Sequence, residues 1–148
     1  MYKAALIAVS MALIASPRAF AASDDLVAIK TIYLEARGES FEGQVAVGEV
    51  IRNRAAIGGW WGNTVKKVCL RDYQFSCWND LPKSEESLRI VWKDSFNESA
   101  KAWKVSRTSN LVNGATHYCR YDCWPAWRSK LKFIKRIGNH LFFKERNR

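Results

Sequence analysis

The order of periodicities along the chain predicts an α+β domain, small and mainly helical, with a short antiparallel sheet near the C-terminus. Three observations carry this. Two successive stretches, Leu26 to Ala36 and about Phe41 to Ala56, hold apolar residues at helical spacing. ATHYC reads as a short strand. KFIKRIGNHLFF reads as two strands joined around Gly138-Asn139, a hairpin signature.

Asp24 and Asp25 suit a helix N-terminus, where the first amides are unpaired and the dipole favours negative charge. Leu26, Ile29, Ile32, Tyr33 and Ala36 form one apolar stripe, and Gly38 is the natural stop. Ser40 caps a second helix carrying Val47, Val50 and Ile51, whose small residues Ala46 and Gly48 admit a close neighbour; Gly58-Gly59 ends it. Asn63 or Thr64 opens a short helix, TVKKVCL, and the aromatic stretch RDYQFSCWNDLP reads as a loop. Ser84, with Glu85 and Glu86, starts a longer helix with Leu88, Val91, Trp92, Ser95, Ser99, Ala102 and Trp103 along one side. Asn113-Gly114 marks a turn.

The first residues, MYKAALIAVSMALIASPRAFAAS, combine Lys3, an apolar core from Ala4 to Ala15, and the small-x-small triplet Ala19-Phe20-Ala21. This is the form of a cleavable secretory leader over residues 1–21, and the apolar run is short for a membrane span, which needs roughly 20 residues. An uncleaved anchor is the alternative. Removing 21 of the 148 residues leaves 127, one domain over 22–148, and takes the net charge from +10 to +8. A basic exported chain meets polyanions: nucleic acid, anionic lipid or an acidic cell wall.

Cys69, Cys77, Cys119 and Cys123 are an even set in an exported context, and their spacings favour local pairs 69–77 and 119–123 among three pairings. A bridge closing the first loop contributes about 2–3 kcal/mol on a chain-entropy argument. Cys119 and Cys123 with His117 and His140 lack a standard zinc spacing, so no metal is expected. No Gly-x-Ser-x-Gly elbow and no phosphate-binding glycine loop is present, which sets aside serine hydrolases and nucleotide cofactors.

Chemistry concentrates in four clusters. The first, IYLEARGES, ends an apolar helix with two acids, Glu35 and Glu39, around Arg37 and Gly38. At 100° per residue Glu35 falls at the border of the apolar stripe, where partial desolvation raises a carboxyl pKa and makes a general acid. Glycoside cleavage needs such an acid. The bland alternative is a solvated helix end paired with Arg37. The second, YQFSCWN, alternates Gln74 and Ser76 with Tyr73, Phe75 and Trp78, a lining suited to sugar faces and hydroxyl edges, or else loop aromatics folded inward. The third is His117-Tyr118 with Trp124 and Trp127; the fourth is Asn139-His140.

Together these clusters resemble the cell-wall hydrolase family of spore-cortex-lytic, SleB-like enzymes. The resemblance rests on IYLEARGESFEGQVAVGEVIRNR, TVKKVCLRDYQFSCWN, GATHYC with PAW, and IGNHLFF, in the family's order over residues 26–143. It implies a lysozyme-like domain that cuts peptidoglycan glycan strands between N-acetylmuramic acid and N-acetylglucosamine, without a cofactor. It implies a lytic transglycosylase in which Glu35 is acid and then base; Glu39 hydrogen-bonds in the site, stabilises an oxocarbenium-like state, or serves as base for water in a hydrolytic muramidase. The expected groove is Gln74, Phe75, Ser76, Trp78, His117, Tyr118 and His140. A monomer is expected, in the periplasm or the extracellular wall, as wall remodeller or phage-type endolysin. The rivals are a non-catalytic wall-binding protein and a nucleic-acid binder; the basic residues are scattered and no nucleic-acid module is present, so nucleic acid is not an expected partner.

Overall fold

A computed structural model of the chain describes residues 23–88 and 93–146. The expected leader over 1–21 lies outside the described residues, as do Val91 and Trp92. Helices α1 (Asp24–Ala36), α2 (Phe41–Ile57), α3 (Val65–Leu70), α4 (Glu85–Leu88) and α5 (Asn97–Val105) precede strands β1 (His117–Arg120), β2 (Lys132–Ile137) and β3 (His140–Lys144). The strands form one antiparallel sheet in the order β1-β3-β2, so the architecture is the α+β arrangement that the sequence predicts. Among the described residues no helix is long and apolar enough to cross a membrane.

Capping sets the helix ends. Ser23 Oγ accepts from Leu26 N and Ser40 Oγ from Gly43 N, each at 3.2 Å, satisfying amides that the helices leave unpaired. Between the helices Glu39 N donates to Ala36 O at 2.9 Å, a tight reversal that leaves Glu35 in the last turn of α1. Helix α1 buries more than the expected stripe: Val27, Ala28 and Thr31 are enclosed along with Ile29 and Ile32, while Tyr33 is only half-buried. The cause is that α2, α3 and α5 all pack on it.

Helix α2 is the central element, buried continuously from Gly43 to Ile51. A Cβ at Gly48 would stand 3.0 Å from Ser106 Cβ and 3.4 Å from Ile32 Cδ1, so glycine lets two neighbours close on the helix. One core lies between the helices, with Ile32, Val47, Ile51, Trp61, Phe75, Trp78 and Trp103. A second joins α2 to the sheet through Ala46, Val50, Val112, Ile137 and Phe142. Burial of each of the larger side chains is worth about 1.5–3 kcal/mol.

The long helix expected from Ser84 is interrupted. Lys93 is extended (φ −126°, ψ 144°) and leads into a single 3-10 turn, Asp94–Phe96, before α5 begins, and Ser95 is exposed. The apolar spacing survives the break, since Leu88, Ser99, Ala102 and Trp103 are all buried. The hairpin forms where Gly138 and Asn139 predict it, with Gly138 at φ +55°.

Glu49 fixes the approach to the sheet. It is buried in α2, and its two oxygens accept from Leu111 N and Val112 N, each at 2.9 Å. Glu49→Leu removes both acceptors and leaves two main-chain donors unpaired, so it is expected to cost about 2–4 kcal/mol, read as a lower urea midpoint with an unchanged slope.

Candidate active site

A cleft of about 710 Å³ opens where the end of α1, the 73–77 loop and β1 converge, and Glu35 lies in its wall. Its carboxyl group is held from two sides. Cys77 N donates to Oε1 at 3.0 Å, and the Tyr118 hydroxyl donates to Oε2 at 2.6 Å. A carboxylate offers roughly four acceptor positions, so two donors orient the group and leave capacity for a proton or a ligand. Burial and the neighbouring Glu35 charge raise the Tyr118 pKa well above its usual value, which keeps the phenol a donor. Among the described residues that line the cleft, Glu35 is the one carboxylate.

The walls are assembled by α2. Asn53 Nδ2 donates to Ala115 O at 2.9 Å, and Arg54 Nε donates to Thr116 O at 2.7 Å, which ties the chain entering β1 to the helix. Arg54 Nη1 reaches Gln74 O at 3.1 Å, and its guanidinium lies 4.6 Å from the Trp61 ring centroid and 4.8 Å from that of Phe75. Burial lowers its pKa to about 10, so it stays charged at neutral pH. Arg54, Trp61 and Arg120 also line the cleft and are not among the candidate site residues of the sequence, while Trp127 of the third cluster lines it as well. The signal for Arg54 was present in the Asn53-Arg54 pair of the helix; nothing in the sequence distinguished it from a solvent-facing arginine.

Of the expected groove residues, Gln74, Ser76, His117, Tyr118 and His140 line the cleft together with Glu35. Phe75 and Trp78 do not. Each is 1% exposed and turned into the helical core, where Trp78 Nε1 donates to Thr31 Oγ1 at 2.9 Å. Burying two rings of this size outweighs anything they would contribute as cleft lining. Glu39 does not line the cleft either. Its oxygens accept from Asn139 N at 3.0 Å and Asn139 Nδ2 at 3.1 Å, so it clasps the β2–β3 turn. A Cβ on Gly138 would overlap Glu39 Oε2, so the glycine admits the clasp.

The four cysteines are free thiols, and neither expected bridge, Cys69–Cys77 or Cys119–Cys123, is formed. Cys69 is fully buried in the helical core, whereas Cys77 lines the cleft beside Glu35. Burial pushes the Cys69 pKa up to about 12 and raises that of Cys77, so neither is a ready thiolate.

A family model described as Cell Wall Hydrolase matches residues 38–143, which take in α2, the 73–79 loop, β1, β2 and β3 as far as Phe143. The chain belongs to the cell-wall hydrolase family. A spore cortex-lytic enzyme of Bacillus subtilis (strain 168) is 31% identical over 130 residues, covering 85% of this chain and 39% of that protein, so the chain spans about two fifths of this relative. The catalytic domain of the Bacillus cereus SleB protein superposes with a TM-score of 0.68 at 28% identity, over 82% of this chain and 89% of that one. The catalytic domain of the germination-specific lytic transglycosylase SleB from Bacillus anthracis gives 0.69 at 27% identity, over 87% of this chain and 100% of that one.

Two histidines stand on the β1 side of this cell-wall hydrolase cleft. His117 packs between Trp61 and Trp127, with ring centroids 5.1 Å away in each case, and its Nδ1 lies 2.9 Å from Thr116 Oγ1. Burial first, and the Arg54 charge second, lower its pKa to about 4. His140 is 7% exposed and stacks 4.9 Å from Tyr118, with Nδ1 unpartnered; burial lowers its pKa too, against the pull of Glu39 and Glu35. Both rings are neutral hydrogen-bonding groups at pH 7. Between pH about 6.5 and about 4 the unfolded chain binds a proton at His117 that the folded chain refuses, so stability falls as pH falls through that window. His117→Gln is expected to flatten that slope in urea titrations at pH 7 and pH 5, and the wild-type His117 Cε1–H resonance should not titrate above pH 5.

Proposed function

We propose that this protein cleaves the glycan strands of peptidoglycan between N-acetylmuramic acid and N-acetylglucosamine, as a lytic transglycosylase with Glu35 as its acid and base. The observation that carries the reading is Glu35, the one carboxyl group among the described residues that line the cleft, oriented by a main-chain amide and a phenol. Family membership supports the substrate class, and the name of the Bacillus anthracis neighbour supports the reaction type.

The Glu35 carboxylic acid protonates the glycosidic oxygen as the C1–O bond breaks, because a sugar leaves poorly as an alkoxide. The Glu35 carboxylate then takes the proton from the C6 hydroxyl of the same muramoyl residue. That oxygen closes on C1, giving a 1,6-anhydro end, and Glu35 is again an acid. No water and no second carboxylate enters. A hydrolytic muramidase of the inverting kind needs a second carboxylate to activate water, and Glu39, the nearest candidate in sequence, has both oxygens engaged by Asn139. We assign Glu39 a positioning role instead: it holds the turn that carries His140, which packs on Tyr118, which in turn donates to Glu35.

His117 and His140, uncharged, are read as hydrogen-bonding partners of the sugar, with Gln74 and Ser76 on the facing loop. On this reading the protein is exported, to the periplasm or the extracellular wall, and acts as a monomer with no cofactor.

Glu35→Gln is expected to lower release of muropeptides from purified sacculi by at least about 10³-fold while leaving the thermal midpoint within a few degrees. Mass spectrometry of the wild-type products decides the reaction: anhydro ends are expected, reducing ends mean a muramidase, and free stem peptides mean an amidase. Glu39→Gln keeps an acceptor for Asn139 N and is expected to retain cleavage within about tenfold, whereas Glu39→Ala loses more activity and melts earlier. If Glu39→Gln is as inactive as Glu35→Gln, the positioning role is wrong and Glu39 is a second catalytic carboxylate.

A further inference from the structure

The sheet has a second concave surface that the cleavage chemistry does not use. Side chains alternate along β3, so His140 and Phe142 face the helices while Leu141 and Phe143 face away. On that outer face a groove of about 560 Å³ lies between the strands and the segment 124–132. Trp124 is 79% exposed on its rim and Phe133 53%, although most tryptophans and phenylalanines are withdrawn from water. Phe133 stacks 5.6 Å from Phe143, its cross-strand partner on the groove floor.

The charge of this surface is one-signed. Arg128, Lys132 and Arg146 line it, and none of the described residues that line it is acidic. Arg128 is fixed, with its guanidinium 3.6 Å from the Trp124 ring centroid and Nη1 donating to Cys123 O at 2.6 Å. Arg146 is placed by bonds from Nε to Lys130 O at 3.2 Å and from Nη2 to Ser129 O at 3.4 Å. Flat apolar faces beside cations match a polymer that alternates sugar rings with carboxylates.

Packed rings link the groove to the cleft. His117 and Trp127, both in the cleft wall, lie 5.1 Å apart; Trp127 packs 5.6 Å from Phe143, and Phe143 5.6 Å from Phe133. An unbroken run of aromatic rings therefore passes from the cutting site to the groove.

We propose that this groove is a second binding site for the anionic peptidoglycan strand, which it holds outside the cleft. Sugar faces stack on Trp124 and Phe133, and lactyl or stem-peptide carboxylates pair with Lys132, Arg146 and Arg128. The proposal rests on peptidoglycan being the substrate. Its physical effect is on effective concentration: a polymer tethered at the groove presents its next linkage to the cleft without a new diffusional encounter.

The test uses sedimentation with purified sacculi in the inactive Glu35→Gln background, so that binding is read without cutting. Trp124→Ala with Phe133→Ala, and separately Lys132→Glu with Arg146→Glu, are expected to weaken sacculus binding at least tenfold. In the active protein the same pairs are expected to slow release from sacculi, while cleavage of a soluble tetrasaccharide, too short to bridge the two sites, changes less than twofold. Sacculus binding unchanged in both pairs overturns the proposal. So does an equal loss on the tetrasaccharide, which would locate the effect in the cleft. Retained sacculus binding with lost binding to phosphatidylglycerol vesicles also overturns it, in favour of a lipid surface. Should the aromatic pair fail to fold by its melting curve, the charge-reversal pair decides. A wild-type protein that cuts neither substrate ends the cleavage reading, and the sedimentation arm still judges the groove.

Discussion

The guanidinium of Arg54 has been taken out of water at the point where three separate stretches of chain meet. It is 5% exposed, donates to Thr116 O and Gln74 O, and lies against the rings of Trp61 and Phe75. A buried cation costs several kcal/mol unless its donors and faces are matched, so each of those stretches is held where it satisfies the group. One is the turn after α2, one the loop bearing Cys77, and one the entry to β1 bearing Tyr118. The two donors to Glu35 thus come from segments that the same arginine pins. Moving either wall away would leave a buried charge without its partners.

The separation of the two acids follows from the reversal between α1 and α2. Had the helix continued, Glu35 and Glu39 would sit on one face, four residues apart. The Ala36–Glu39 turn instead sends Glu35 toward Cys77 and Tyr118 and Glu39 toward Asn139. One carboxyl group is left to the cleft, and the other joins the helical layer to the hairpin. The motif therefore spends its two acids on different physical tasks, and their proximity in sequence does not make a pair of them.

Much of this was legible in the sequence where a local rule has a single outcome. Ser40 and Gly58 bracket α2 as capping requires, and Gly138-Asn139 turns the hairpin. Glu35 was placed at the border of a stripe, and it is half-buried there. The failures share a cause. The alternation of Phe75 and Trp78 with Gln74 and Ser76 predicts a shared lining, but an irregular loop has no period to say which residues turn inward, and only the core beside Thr31 decides it. The apolar spacing from Ser84 predicts a continuous helix, but spacing does not report a residue such as Lys93 in extended conformation. Arg54 gives no local signal, because a cation on an otherwise mixed helix resembles a solvated one until three carbonyl- and ring-bearing segments arrive around it.

The donor from residue 77 to Glu35 is a main-chain amide, and that has a consequence for how the site is to be dissected. Truncating the thiol leaves the N–H in place, so a scan that shaves side chains one by one would not remove this contact. Only proline, which carries no amide hydrogen, deletes the contact directly. Half of what orients the Glu35 carboxyl group is thereby shielded from ordinary point changes and written into the path of the backbone.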